Sequence, residues 1–133
     1  MDNKNQIDNE DDAAIVAWGG AWRMPTYAEL KELKDNCTWT WMTLNGVTGY
    51  LVTSKITGFT NQSIFLPAGG CQSKNEIASP DGEHGYYWSS SLEKSNYAYS
   101  LVFWAPGPNG DASRYVMSEW RTWGQSIRPV CPK

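Results

Sequence analysis

His84 is the only histidine in the chain, and it lies in the stretch Asp81-Gly82-Glu83-His84-Gly85. Hydrolysis by a Ser/His/Asp arrangement, or a zinc site, needs partners at a suitable spacing, and none can be read around it. No GxSxG elbow, HExxH helix or phosphate-binding loop occurs. The run Ser89-Ser90-Ser91 falls within an extended segment, where hydroxyls pair across a sheet more often than they act as nucleophiles. One unaccompanied histidine is therefore read as structural and exposed. Glu76, Asp81 and Glu83 offer carboxylate oxygens for calcium but lack the alternating spacing of a calcium loop, and they are read as a solvated acidic loop. The three cysteines, Cys37, Cys71 and Cys131, are far apart in the sequence with no metal-ligand spacing. They are expected to be buried free thiols; a Cys37–Cys131 bridge is the alternative. Neither a cofactor nor a metal is expected, and Asn36-Cys37-Thr38 and Asn61-Gln62-Ser63 match glycosylation sequons only as short patterns.

The chemistry that is abundant is that of recognition. Gly85–Val130 holds four of the eight tryptophans and five of the seven tyrosines, interleaved with Ser, Asn, Asp and Arg. Aromatic rings among adaptable hydrogen-bonding residues supply contact area at low entropic cost. The candidate ligand-binding residues are Tyr97, Tyr99, Trp104, Asn109, Asp111, Arg114, Tyr115, Trp120, Thr122 and Trp123. Because alternate strand residues face opposite ways, only part of this set can reach one ligand. Over Tyr97–Trp104, one face is Tyr97, Tyr99, Leu101 and Phe103, and the other is Ala98, Ser100, Val102 and Trp104. The first is the more apolar, which favours burying Tyr99.

The elements that must carry these residues fit one domain of 133 residues. The net charge of −3 is concentrated in residues 1–12, which hold five acids and one lysine and read as an acidic mobile tail. The remainder, 13–133, is close to neutral. With a pI near 5.0 and no basic patch, nucleic-acid binding is not expected. No apolar run approaches a membrane span, so a soluble chain is expected.

Asp12 is placed to cap a short helix over Ala13–Trp18, apolar on all sides and therefore expected to be largely buried. Thr26 and Glu29 form a capping box for a second helix, with Tyr27, Leu30, Leu33 and Cys37 on one stripe. The period then changes to two. Thr38–Thr43, Gly49–Ser54, Ser63–Pro67, Tyr86–Ser91, Tyr97–Trp104, Ser113–Glu119 and Gln125–Cys131 read as strands, with Asn45-Gly46 as a hairpin turn and Cys71–Gly85 as a loop. Arg23 and Arg128, each flanked by proline and apolar residues, are expected to be half-buried structural ties. Helices followed by strands without βαβ alternation give an α+β antiparallel fold.

Five words in order, WRMPTYAEL, FLPAGG, GYYWSSS, YAYSLVF and GQSIRPV, carry a resemblance that spans nearly the whole chain after residue 12. Together they resemble the Fibrobacter-type major paralogous domain family of gut Bacteroidetes and their phages, related to the formylglycine-generating and C-type-lectin-like superfold. The resemblance implies a C-type-lectin-like fold, with two helices packed on a small twisted antiparallel sheet with long loops. It implies a non-enzymatic binding module, extracellular, on a cell surface or on a phage virion, whose partner is a protein or glycan. Some such domains are variable proteins of diversity-generating retroelements. By that likeness the diversified stretch is Leu92–Trp123, between fixed flanks at Trp88–Ser91 and Gly124–Val130. The calcium–sugar words of true C-type lectins are absent, so calcium-dependent sugar binding is not implied. Nor do Cys71 or Cys131 match the cysteine setting of the formylglycine-generating enzymes. Two further readings are a subunit-contact module of a surface, pilus or phage-tail protein, and an enzyme using Cys71, Cys131 or His84.

Overall fold

A computed structural model describes residues 4–73, 76–78, 82–110 and 112–131. Two helices, α1 (Ala13–Trp18) and α2 (Tyr27–Asp35), precede eight strands: β1 (Cys37–Leu44), β2 (Val47–Ser54), β3 (Ser63–Pro67), β4 (Cys71–Ser73), β5 (Glu76–Ala78), β6 (His84–Lys94), β7 (Tyr97–Trp104) and β8 (Ser113–Trp120). All named pairings are antiparallel. They give one sheet β1-β2-β3, a ribbon β4-β5, and a second sheet β6-β7-β8, so the domain is α+β.

Local chemistry explains the first half well. Thr26 accepts from the Glu29 N–H at 3.3 Å, and the Glu29 carboxylate accepts from the Thr26 N–H at 3.0 Å. This is the expected capping box, satisfying two N–H groups that the first turn of α2 leaves open. Asn45 (φ 50°) and Gly46 (φ 82°) both take positive φ, the two-residue turn that matches the twist of a β1–β2 hairpin. Trp39 is buried and Trp41 packs against the core, while Thr38 and Thr40 face solvent.

The core lies between α2 and the two three-stranded sheets. It joins Leu30 of α2 to Trp39, Tyr50, Val52 and Leu66 of the first sheet and to Tyr87, Leu101 and Phe103 of the second. Two tyrosines cross-link the sheets reciprocally. Tyr50 of β2 donates its hydroxyl to the Trp104 carbonyl of β7 at 2.7 Å, and Tyr87 of β6 donates to the Pro67 carbonyl of β3 at 2.8 Å. Burial pushes both phenols above the usual tyrosine range.

β6 is flanked on its outer side by four separate segments. Gly70 donates to His84, Ser126 exchanges backbone bonds with Tyr86 and Trp88, Ser90 donates to Pro25, and residues Asn5 and Ile7 pair with Leu92 and Ser90. The backbone of Arg23 pairs with that of Val130, while its guanidinium grips the Glu29 carboxylate at 2.6 and 3.1 Å. Arg23 is thus the tie that the sequence suggests, and the contact holds Glu29 below the ordinary carboxylate range.

Several expectations are corrected. Residues 5–12 belong to the folded body rather than to a separate tail: besides the β6 contacts, buried Asp12 accepts from the N–H groups of Ala14, Ile15 and Met24. The helix α1 is not buried. Only Ala14 of its six residues is, and Val16 and Trp18 are 67% and 61% exposed. A helix of fewer than two turns is anchored here by its cap, so its apolar sides need no cover to hold it. The stretch 71–85 contains β4, β5 and the start of β6. Gln125–Cys131 forms no named strand and contributes single bridges at Ser126 and Val130, since the residues between them follow β6 only briefly. Arg128 is exposed and, among the described residues, makes no hydrogen bond or ion pair, unlike Arg23. No disulfide joins the cysteines to one another; Cys71 is buried, Cys37 half-buried and Cys131 exposed.

Candidate functional site

The unbroken β7–β8 register sorts the aromatic residues onto two faces. Tyr97, Tyr99, Leu101 and Phe103 share a face with Trp120, Ser118, Val116 and Arg114. This face meets α2 and the core. Tyr99 packs against Tyr27 of α2, the rings tilted at 47° with centroids 4.5 Å apart. Arg114 donates from Nε to the Lys34 carbonyl at 2.8 Å and lies 5.3 Å from the centre of the Trp39 ring. It thereby satisfies one of the terminal carbonyls of α2 and sets a cation at the negative end of the helix dipole. Both residues are engaged inside the fold, and Tyr99 packs as its strand face suggests.

On the opposite face, the pairings lay out three rows across β6, β7 and β8: His84–Trp104–Ser113, Tyr86–Val102–Tyr115 and Trp88–Ser100–Met117. The central β7 positions of the lattice are covered and its β8 side is open. Val102 and Ser100 are buried, whereas Tyr115 is 50% exposed. Trp104 meets Tyr115 edge to face at 5.3 Å and His84 at 6.1 Å. The Trp104 backbone is fixed from below by Tyr50. Asn109 is exposed in the turn closed by the Gly110 N–H on the Gly107 carbonyl at 2.9 Å.

A second aromatic pair stands at the far end of the same hairpin. Tyr97 and Trp120 lie 4.4 Å apart, with Trp120 47% exposed. Beside them Thr122 is exposed and Trp123 half-buried, and Arg121 is held to the Ser95 carbonyl at 2.8 Å. Tyr97 and Trp104 are seven residues apart on one strand, a separation on the order of 23 Å, and they point to opposite faces. The candidate residues thus form two clusters rather than one. Asp111 and Asp81 lie outside the described residues, as does the side chain of Glu76.

His84 and Tyr86 were not among the sequence-predicted site residues, yet the register sets them in the Trp104–Tyr115 lattice. Alternation along β6 placed them on one face; only the cross-strand pairing shows which face. His84 opens β6 and is half-buried, not in an exposed loop. Among the cysteines, burial pushes the Cys71 and Cys37 thiols up, away from the thiolate a nucleophile requires. Glu119, on the lattice face, is also raised by burial. No family model matches the chain, and comparison with curated proteins and with solved structures returns no significant match.

Proposed function

We propose that the domain is a non-enzymatic ligand-binding module on a C-type-lectin-like scaffold, recognising a protein or glycan through its outward lattice. The observation that carries this reading is the Trp104–Tyr115 pair, Tyr115 exposed and Trp104 half-buried beside it, on a strand pinned to the core by Tyr50. Rigid aromatic rings on an ordered sheet lose little freedom on binding, which is the property of an interface anchor. His84 and Tyr86 border the pair. Trp120 and Tyr97 form a separate patch that reaches a ligand only if it is large enough to bridge the hairpin. The burial-raised Cys71 thiol weighs against its use as a nucleophile. The setting we propose is a cell surface or a phage virion, with Leu92–Trp123 as the diversified stretch of a retroelement variable protein. A reverse-transcriptase gene beside a near-copy of the coding end, differing at adenines, is the genomic signature that reading requires.

Screening on glycan and protein arrays supplies the ligand for the test. Tyr115→Ala is expected to weaken capture of the array hit by at least about tenfold while leaving the melting temperature near that of the parent. Capture that survives both Tyr115→Ala and Trp104→Leu in folded protein removes the site.

The subunit-contact reading has one observation in its favour. Trp18 and Trp22 form an exposed apolar patch, meeting edge to face at 5.0 Å. If that patch joins copies of the domain, light scattering will give a mass above the monomer that Trp18→Ser reduces. A strict monomer at all concentrations leaves the binding-module reading alone.

A further inference from the structure

Between α2, the first sheet and the C-terminal segment lies a cavity of about 110 Å³. Its floor is apolar and fully buried, formed by Leu30, Leu66 and Leu101; Leu33 and Ile64 are half-buried walls. This space is on the opposite side of the second sheet from the Trp104–Tyr115 lattice. A dry apolar cavity of comparable size is known to accept a small hydrocarbon. Tyr87 also borders it, but its hydroxyl is committed to the Pro67 carbonyl. The interior therefore offers only apolar contact.

The rim is charged. Glu29 and Arg128 both border the cavity, and Glu29 is already neutralised by the two bonds from Arg23. Arg128 is exposed, with no ion pair or hydrogen bond among the described residues. Among the described residues, then, the Arg128 guanidinium stands unpaired beside an apolar hole, and a guanidinium is the side chain best shaped to hold a carboxylate by paired hydrogen bonds.

We infer that this cavity is a second binding site, for a small monocarboxylate with a short aliphatic tail. The tail enters among Leu33, Ile64 and Leu66 and the carboxylate rests on Arg128. Four to six carbons is roughly the length the volume admits. The ligand class follows from the two halves of the site. An amine would meet Arg128 as a like charge, and an uncharged alcohol would leave the guanidinium without its partner.

The probe is hexanoate, titrated into the full chain and followed through the methyl resonances of labelled Ile and Leu. The expected result is saturable shifts at Ile64 and Leu33, with a Kd on the order of 1 mM, and a melting temperature raised by several degrees at ten times Kd. Arg128→Gln should weaken hexanoate roughly tenfold yet leave 1-hexanol, the uncharged probe, unchanged. Leu33→Trp, filling the wall at a half-buried position, should abolish both. Hexanoate that shifts no methyl near the cavity, or binds wild type and Arg128→Gln equally, overturns the assignment. Capture of an array ligand on the Tyr115 side is expected to be indifferent to Arg128→Gln, so failure here and failure of the surface reading are separable.

Discussion

Gly85→Ala is expected to destabilise the domain by about 3 kcal/mol or more, a large part of the stability of a domain this size. A Cβ at this position would stand 2.0 Å from Phe103 Cζ and 2.4 Å from Cε2. Gly85 and Phe103 are direct cross-strand partners in β6 and β7. Phe103 is fully buried, edge-on to Trp39 and Tyr50 and stacked beside Tyr87, so its ring has nowhere to retreat. The cause can be separated from a simple dislike of alanine. Phe103→Leu removes the ring atoms that clash and by itself should cost about 1 kcal/mol. In the double variant the two losses should fall well short of additive, because the leucine makes room for the new methyl. Urea denaturation of the four proteins measures this, and strict additivity would show that the clash is not the source.

Tyr50→Ala is expected to cost about 4 kcal/mol. The ring is fully buried and touches Trp39, Trp41 and Phe103, so its loss opens a hole where the two sheets meet. Tyr50→Phe isolates the hydroxyl. It should cost about 1–2 kcal/mol, since the Trp104 carbonyl loses its donor in a buried setting, and Tyr87→Phe is the matched control for the reciprocal bond to Pro67. The phenols also set an alkaline limit. Burial raises the Tyr50 pKa above the ordinary 10.0, so the unfolded chain releases the proton first. The stability from the neutral buried phenol is therefore complete below that value and is lost as pH rises past it. Thermal unfolding of the Tyr50→Phe protein should decline less steeply above pH 10 than that of the parent; an identical slope would mean that the phenol does not titrate on unfolding.

What the sequence made legible was local. The Thr26–Glu29 box, the Asn45-Gly46 turn and the alternation of Trp39 and Trp41 with threonines each depend on residues within a few positions of one another. All appear as expected. What it concealed is settled by partners far away. Arg114 looks like a surface recognition residue until its acceptor is seen, the carbonyl of Lys34 eighty positions earlier. Hydropathy favours the Tyr99, Leu101 and Phe103 side of β7 for the core, but it does not decide alone, because both sides hold buried residues. Tyr50 and Trp39, arriving from the first sheet, make one of them the core. The apolar look of α1 misled for the opposite reason: a helix so short is held by Asp12, a polar residue that caps the Ala14 and Ile15 N–H groups, rather than by its hydrophobic sides. For the candidate site, the residue types were readable and the grouping was not, since the split into two clusters follows from register alone.

The four segments that flank β6 have a consequence for the time course of folding. They come from Asn5–Ile7, Pro25, Gly70 and Ser126, so this one strand waits on contacts from both ends of the chain and from two points between. Closing such long loops costs entropy before any pairing repays it, which places the domain among slow folders of high contact order. On a ribosome, β6 emerges while its Ser126 partner has yet to be made. For that interval the backbone groups of Tyr86 and Trp88 stand open, a template on which a neighbouring nascent chain could add a strand. Once Ser126 is made, its two backbone bonds close these groups and complete this edge of the sheet.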